Sequence, residues 1–311
     1  MYSYKAYGLR FASEIELPEF VPASESIQRD VTIQLGEVPT SLGSETCKDI
    51  LYEATPHQFL LKLDRIAHYL VQDGNSITIQ LREAAVPSDI RVFLLGSCLG
   101  ALLHQRGILA LHASAVKIGE GAVLFMGPSG NGKSTLLNAL LKRGHKMLAD
   151  DITAIELDDR QESHVIPGFP RTKLWLDAAQ TLQIDVTKLE PTRPKLKKYE
   201  YHVPDQFESA PMGINAIYEL TVSNHELSIQ TMPQMRIIQA LVRNTYRHKF
   251  LDGLAKRGTH FELLTKIAQR VPVARVKRPR ETYHLDALVE LILEDLDNRN
   301  QEVSDRHVSS V

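Results

Sequence analysis

The sequence predicts an α/β fold: a mixed sheet whose central strand turns straight into a helix, a small β-rich N-terminal domain before it, and a helical C-terminal region after it. Three observations carry this. Period-two alternation of apolar residues recurs through the first 85 residues. An apolar stretch, Ala122–Met126, runs into a glycine-rich turn and then into a helical pattern from Lys133. Helical spacing of apolar residues dominates from Gln234 onward. The Pro87-Ser88-Asp89 stop divides the chain into residues 1–86, the β-rich domain, and residues 87–311.

The elements follow in order. Alternation in Val31–Leu35, Gln58–Leu63 and Ser76–Leu81 predicts strands that each bury one face, as in a small antiparallel sheet. Asp73-Gly74, between Tyr69–Val71 and Ser76–Leu81, predicts a hairpin. Ile90–Gln105 has helical spacing, with Ser88 or Asp89 as N-cap and Gly96 and Gly100 allowing close packing; Arg106-Gly107 ends it. Strands are predicted at Leu109–Lys117 and Ala122–Met126, around a turn at Gly119-Glu120-Gly121. A helix from Lys133 to Arg143 closes at Gly144, and a short strand, Lys146–Ala149, leads to Asp150-Asp151. Ile152–Leu157, His164–Ile166, Ala216–Leu220 and Leu227–Thr231 read as strands and Trp175–Leu182 as a helix. Residues 187–208, with Arg193, Lys195, Lys197 and Lys198, read as an exposed loop and a candidate substrate lid. Gln234–Gln269 reads as helical with a break near Gly253, Leu285–Leu296 as an amphipathic helix, and the tail after Asn298 as frayed.

Composition narrows the class. In 311 residues, 43% are hydrophobic and 24% charged, enough for an ordinary buried core. Lys plus Arg number 36 against 38 Asp plus Glu, so no nucleic-acid partner is expected. Cys47 and Cys98 are far apart and form no metal or disulfide pattern, and Cys98 sits in an apolar run as a small core residue. Charges interrupt the N-terminal stretch where a signal peptide needs apolar residues, and no apolar run is long enough to cross a membrane. The expected location is cytoplasmic.

Gly127-Pro128-Ser129-Gly130-Asn131-Gly132-Lys133-Ser134-Thr135 fits the P-loop pattern in full. Glycines let the backbone wrap and aim N–H groups at phosphate oxygens, and the following helix adds its positive end. Lys133 supplies charge for the β- and γ-phosphates and Ser134 a hydroxyl for Mg²⁺. A nucleoside triphosphate, ATP with Mg²⁺, is the expected ligand. The NKxD motif of GTPases and the LSGGQ motif of ABC-type ATPases are absent, and ATP against GTP stays open.

Asp150-Asp151 follows the P-loop helix at unusually short spacing. Two carboxylates beside a metal can divide labour, one holding Mg²⁺ and the other accepting a proton; a solvated turn is the plainer alternative. His112 precedes Lys133 by 21 residues and Asp151 follows it by 18.

Leu111-His-Ala-Ser-Ala115, the P-loop, and Lys142-Arg-Gly-His-Lys-Met-Leu-Ala-Asp-Asp151, taken together, resemble the catalytic core of HPr kinase/phosphorylase over residues 107–157. That family phosphorylates a serine of a small phosphocarrier protein. The resemblance implies that Asp151 takes the serine proton, that His112 and Lys133 are active-site residues, and that Ser134 and Asp150 serve the metal. The N-terminal segment does not resemble that family, and Val165–Trp175 stands where its later signature would fall. Tyr7–Pro18 and Leu95–Gly107 are similar instead to HPr-kinase-like proteins of peptide natural products, among them kinases of a C-terminal serine in lasso-peptide precursors. A peptide or small-protein substrate with an acceptor serine is the implied partner.

Further positive charge for the acceptor side is offered by Arg171 and Lys173, and by Arg236, Arg243 and Arg247, whose spacing of seven and four puts them on one helix face. Arg243 and Arg247 are candidates for a peptide carboxylate. An HPr(Ser)-type protein kinase, a small-molecule kinase and a non-catalytic nucleotide-binding regulator stay open as alternatives, and so does a homo-oligomer.

Overall fold

The computed structural model describes residues 1–24, 28–43, 47–83, 85–192, 197–224, 226–279 and 285–308. Arg193 and Lys195 of the expected lid lie outside the described residues.

The N-terminal strands pair in the order Val21–Pro22, Tyr2–Ala6, Leu9–Ser13, Val31–Leu35, Ser76–Leu81, Ala67–Gln72, Gln58–Leu63, Tyr52–Ala54 and Cys47–Lys48. This sheet is larger than the sequence suggests, and it is mixed. Val31–Leu35 runs parallel to both Leu9–Ser13 and Ser76–Leu81, because long connections allow the chain to return in the same direction. The hairpin around Asp73-Gly74 forms in register from Gln72↔Ser76 to Ala67↔Leu81. Its central strands are buried on both faces. One face joins Phe59, Tyr69 and Ile77 to Leu94, Leu99 and Leu102 in a common core, and Val38 covers Leu60 and Leu70 on the other.

The helix after this sheet begins at Pro87, one turn earlier than expected, with Val86 as a cap that makes no side-chain bond. It continues through a π-helical turn at Leu94–Cys98 into Leu99–Gln105. Gly96 and Gly100 do allow a close approach: a Cβ on Gly100 would stand 2.9 Å from the Tyr246 ring.

The second sheet carries the P-loop. Its strands run Leu109–Leu111, Thr153–Leu157, Ser163–Ile166, Met212–Ser223, Gly121–Met126, Ala113–Ile118 and Lys146–Ala149. Met212–Ser223 lies parallel to Gly121–Met126 and to Val273–Pro279, a strand with no counterpart in the sequence reading. Lys133–Lys142 and Leu285–Val308 pack on one face through Leu136, Leu140, Leu288 and Ile292. Gln234–Arg243 and Arg257–Arg270 cover the other through Ile237, Leu241, Leu264 and Ile267.

Further expectations change. The strand expected over Leu109–Lys117 breaks at His112, between Leu109–Leu111 and Ala113–Ile118. The loop at 187–208 contains the strand Lys198–His202, paired with Arg171–Trp175 and with Glu190–Pro191. The helical stretch from Gln234 stops at Arg243 and resumes at Phe250 and Arg257, and the last helix runs on to Val308. Because the first of these helices ends at Arg243, Arg247 lies beyond it and shares no helix face with Arg236 and Arg243.

Candidate active site

The strand Gly121–Met126 delivers the chain to Gly127, whose φ of +147° suits only glycine and where a Cβ would sit 2.6 Å from the Leu220 carbonyl oxygen. Gly132, at φ +92°, caps the helix that starts at Lys133. The loop is pinned from two sides. Asn131 Nδ2 donates to Leu220 O at 2.9 Å, and Arg278 Nε donates to Asn131 O at 3.1 Å. Lys133 is buried, and its Nζ donates to Gly127 O at 2.7 Å and Pro128 O at 3.2 Å.

Asp150 and Asp151 end the strand Lys146–Ala149 and turn their carboxylates to different partners. Asp150 Oδ1 accepts from Ser134 Oγ at 3.0 Å and Ser114 Oγ at 2.6 Å. Its Oδ2 accepts from Thr172 Oγ1 at 2.7 Å and the Lys173 amide at 3.2 Å. Asp151 adopts φ +72°, a left-handed conformation that costs a residue with a Cβ about 1–2 kcal/mol. Its carboxylate lies 3.3 Å from His112 Nδ1 and 3.2 Å from Lys173 Nζ. The His112 ring is held between neighbours: Nδ1 is 3.0 Å from the Asp151 carbonyl oxygen, and Nε2 accepts from Lys133 Nζ at 3.1 Å. The His112 amide donates to Asn244 O at 2.7 Å, which fixes its backbone at the strand break.

The charges perturb one another. Burial works to raise the Asp151 carboxyl, but Lys173 and His112 overcome it and hold the group well below the usual carboxylate range. Burial pushes the Lys133 ammonium down to about 8, against the pull of Asp150 and Asp151. Burial also lowers Lys173, opposed by Asp151. The site therefore holds an ionised Asp151 beside ammonium groups that gain from any further negative charge.

A cavity of about 280 Å³ opens over these groups. Of the residues singled out in the sequence, Ser129, Gly130, Gly132, Lys133, Ser134 and Thr135 line it from the P-loop, and His112, Asp150, Asp151 and Lys173 from the facing strands. Arg171, Arg243 and Arg247 do not. Arg171 is buried behind the site, 2.8 Å from Glu200 Oε1 and 3.8 Å from Glu19 Oε1. Arg243 donates to Glu219 Oε1 at 2.5 Å, and Arg275 holds the other oxygen of the same carboxylate. Arg247 lays its guanidinium over the Tyr246 ring, 5.7 Å from the centroid.

Sequence reasoning missed Ser114, Thr172 and Trp175, and it placed Lys198 only in a loop. Ser114 could have been found, since it follows His112 by two and so shares its side of an extended chain. Trp175 and Lys198 face each other across a strand pair, and the Lys198 ammonium sits 5.5 Å from the Trp175 ring centroid at the rim of the cavity.

The donor set suits magnesium. Ser134 Oγ and an Asp150 oxygen stand side by side, which is the hard-oxygen provision Mg²⁺ takes from a protein while substrate phosphates and water complete its shell. Among the described residues no group of three or more His, Cys, Asp or Glu could hold a metal unaided.

No protein-family profile matches the chain. Sequence comparison finds similarity to an HPr kinase/phosphorylase from Clostridium botulinum, 26% identical over 223 residues, covering 68% of each chain. A solved HPr(Ser) kinase/phosphatase from Coxiella burnetii aligns at 12% identity and a TM-score of 0.34, over 64% of this chain and 97% of that one, a likeness too slight to carry weight. The chain is a mixed α/β protein with a P-loop core, and its sequence is distantly similar to that HPr kinase/phosphorylase. The distant sequence similarity supports a kinase-like, phosphotransferase function. Among the described residues, no helix is long and apolar enough to cross a membrane.

Proposed function

We propose that this protein is an ATP-dependent serine kinase that acts on a peptide, and that its acceptor is the C-terminal serine of a lasso-peptide precursor. The observation that carries the kinase reading is the line of contacts from Lys133 through His112 to Asp151, set beside the Ser134–Asp150 pair at the mouth of the P-loop. The lasso-peptide acceptor rests on the likeness of Tyr7–Pro18 and Leu95–Gly107 to kinases of that kind.

The residues divide the work. P-loop amides and Lys133 bind the phosphates. Ser134 and Asp150 would hold Mg²⁺, which when bound neutralises charge on the β- and γ-phosphates. Asp151 orients the serine hydroxyl and receives its proton as the serine Oγ–P bond forms; the bond from the γ-phosphorus to the bridging oxygen breaks, and its electron pair leaves with ADP. A carboxylate with so low a pKa is a weak base for an alcohol. It suits a loose transfer, in which the hydroxyl turns acidic only as the new bond forms. His112 and Lys173 keep Asp151 ionised and fixed in direction.

The test is incubation of the pure protein with ATP, Mg²⁺ and peptides ending in serine, read by mass. One added phosphate on the terminal serine, lost in Asp151→Asn, supports the reading. ATP binding without transfer to any of the peptides would overturn it.

A further inference from the structure

A second and larger cavity, about 480 Å³, lies between the Cys47–Leu63 edge of the N-terminal sheet and the turn at residues 247–250. Its floor is apolar, made by Leu61, Leu63, Phe93 and Phe250. Leu51 extends this surface at the rim, 52% exposed, and the neighbouring Ile50 is 91% exposed. Apolar side chains left in water beside an apolar hollow mark a surface that gains from being covered.

The facing wall is basic. Arg247, His248 and Lys249 are consecutive and exposed, and all three line the groove. Asp49 is the one carboxylate among its described lining residues. Arg247 takes φ +51°, again a left-handed conformation with a Cβ, which turns the chain so that this triplet presents itself to the groove. The same segment continues into the active site. Tyr246 N donates to Ala110 O, and Asn244 O accepts from the His112 amide, so one short stretch of backbone touches the histidine at one end and the groove at the other.

We infer that this groove docks the acceptor peptide itself, through an extended segment that places an aromatic or leucine side chain on the apolar floor and carboxylates against Arg247 and Lys249. The inference rests on the peptide-kinase reading above. An apolar floor opposite the cations Arg247 and Lys249 asks for a ligand with an anchor and negative charge at neighbouring positions, which an extended acidic peptide supplies at residue spacing. Docking at a place separate from the chemistry gives the acceptor serine a high local concentration at Asp151 without demanding much of the residues around it.

The experiment is fluorescence polarisation with the full chain and labelled decapeptides that carry one Phe or Leu flanked by glutamates. Matched peptides carry lysine in place of glutamate, or alanine in place of the anchor. The glutamate peptides should bind at least 10-fold tighter than either control, and more weakly as salt rises. Leu51→Asp and Lys249→Glu, both at exposed positions and each checked for an unchanged thermal unfolding midpoint, should each lose at least 10-fold. Asp151→Asn should bind the peptides as the unaltered protein does. Equal binding of lysine and glutamate peptides, or binding that survives both substitutions, would overturn the docking inference. Intact docking without phosphate transfer to any serine peptide would leave the groove standing and sink the kinase reading, so the two failures are distinct.

Discussion

Lys133 Nζ lies 3.1 Å from His112 Nε2, and that imidazole is the sole bridge of this kind between the P-loop lysine and Asp151 among the described hydrogen bonds. With Nε2 accepting from an ammonium, Nδ1 carries the proton and donates toward Asp151. The ring thus spans the two charged groups.

Asp151→Asn keeps the shape of the side chain but removes the proposed proton acceptor. Phosphate transfer should fall on the order of 10²–10⁴-fold, while ATP affinity changes little. Single-turnover assays beside nucleotide binding separate the two. A mutant with both properties intact would remove Asp151 from the chemistry.

Ser134→Ala and Asp150→Asn act on the other carboxylate. Each should raise the Mg²⁺ concentration needed for nucleotide binding by about 10-fold or more, with nucleotide affinity in EDTA unchanged. Fluorescent-nucleotide titrations across magnesium concentrations read this out, and a parallel loss in EDTA would point to a damaged loop instead.

His260 gives a stability signature in acid. It is buried with Nε2 3.0 Å from Thr245 Oγ1, and burial depresses its pKa from 6.5 to about 4. The unfolded chain takes up a proton near 6.5 and the fold does not, so this contribution is complete above that pH and is lost as pH falls toward 4. The loss amounts to roughly 2–3 kcal/mol between pH 7.5 and 4.5. Denaturant titrations of the unaltered protein and His260→Gln at both values should show a smaller drop in the variant.

Gly100→Ala sets two effects against each other. Alanine gains about 1 kcal/mol of helix propensity, but its methyl would meet the Tyr246 ring at 2.9 Å. Overpacking of this kind costs about 1–3 kcal/mol, so a net destabilisation is expected. Since Tyr246 sits in the segment that holds the His112 backbone, activity should fall with stability. Urea denaturation that shows a stabilised Gly100→Ala would mean the ring moves freely.

The P-loop half of the candidate site was legible in the sequence because it is local. Strand, glycine-rich turn and helix follow one another between Gly121 and Lys142, and the short step to Asp150-Asp151 keeps the acids near. Of the other wall only Lys173 was legible, as a basic candidate without a placed partner. Thr172 and Lys173 reach the aspartates from the strand Arg171–Trp175, and Lys198 arrives by pairing across from Trp175. That pairing leaves no periodic mark in a stretch crowded with proline and lysine. Arg247 was misplaced because helical spacing continues in the sequence after the helix has stopped. The chain leaves helical geometry where Asn244 O and Tyr246 N turn to the backbone of His112 and Ala110, a tertiary claim that outweighs local preference. The parallel pairs of the N-terminal sheet escaped for a related reason, since alternation reveals a strand's faces but not its neighbour's direction.

The pinning of Asn131 between Leu220 and Arg278 separates motif from machinery. Every residue of the P-loop pattern lies in the first half of the chain, yet the loop's outer edge is held by two strands from the last third. A shortened chain ending before Val273 would retain the whole signature, and any search would still find it there, but the loop would have lost the arginine that braces it. In this protein the P-loop signature and the residues that brace its outer edge come from distant parts of the polypeptide.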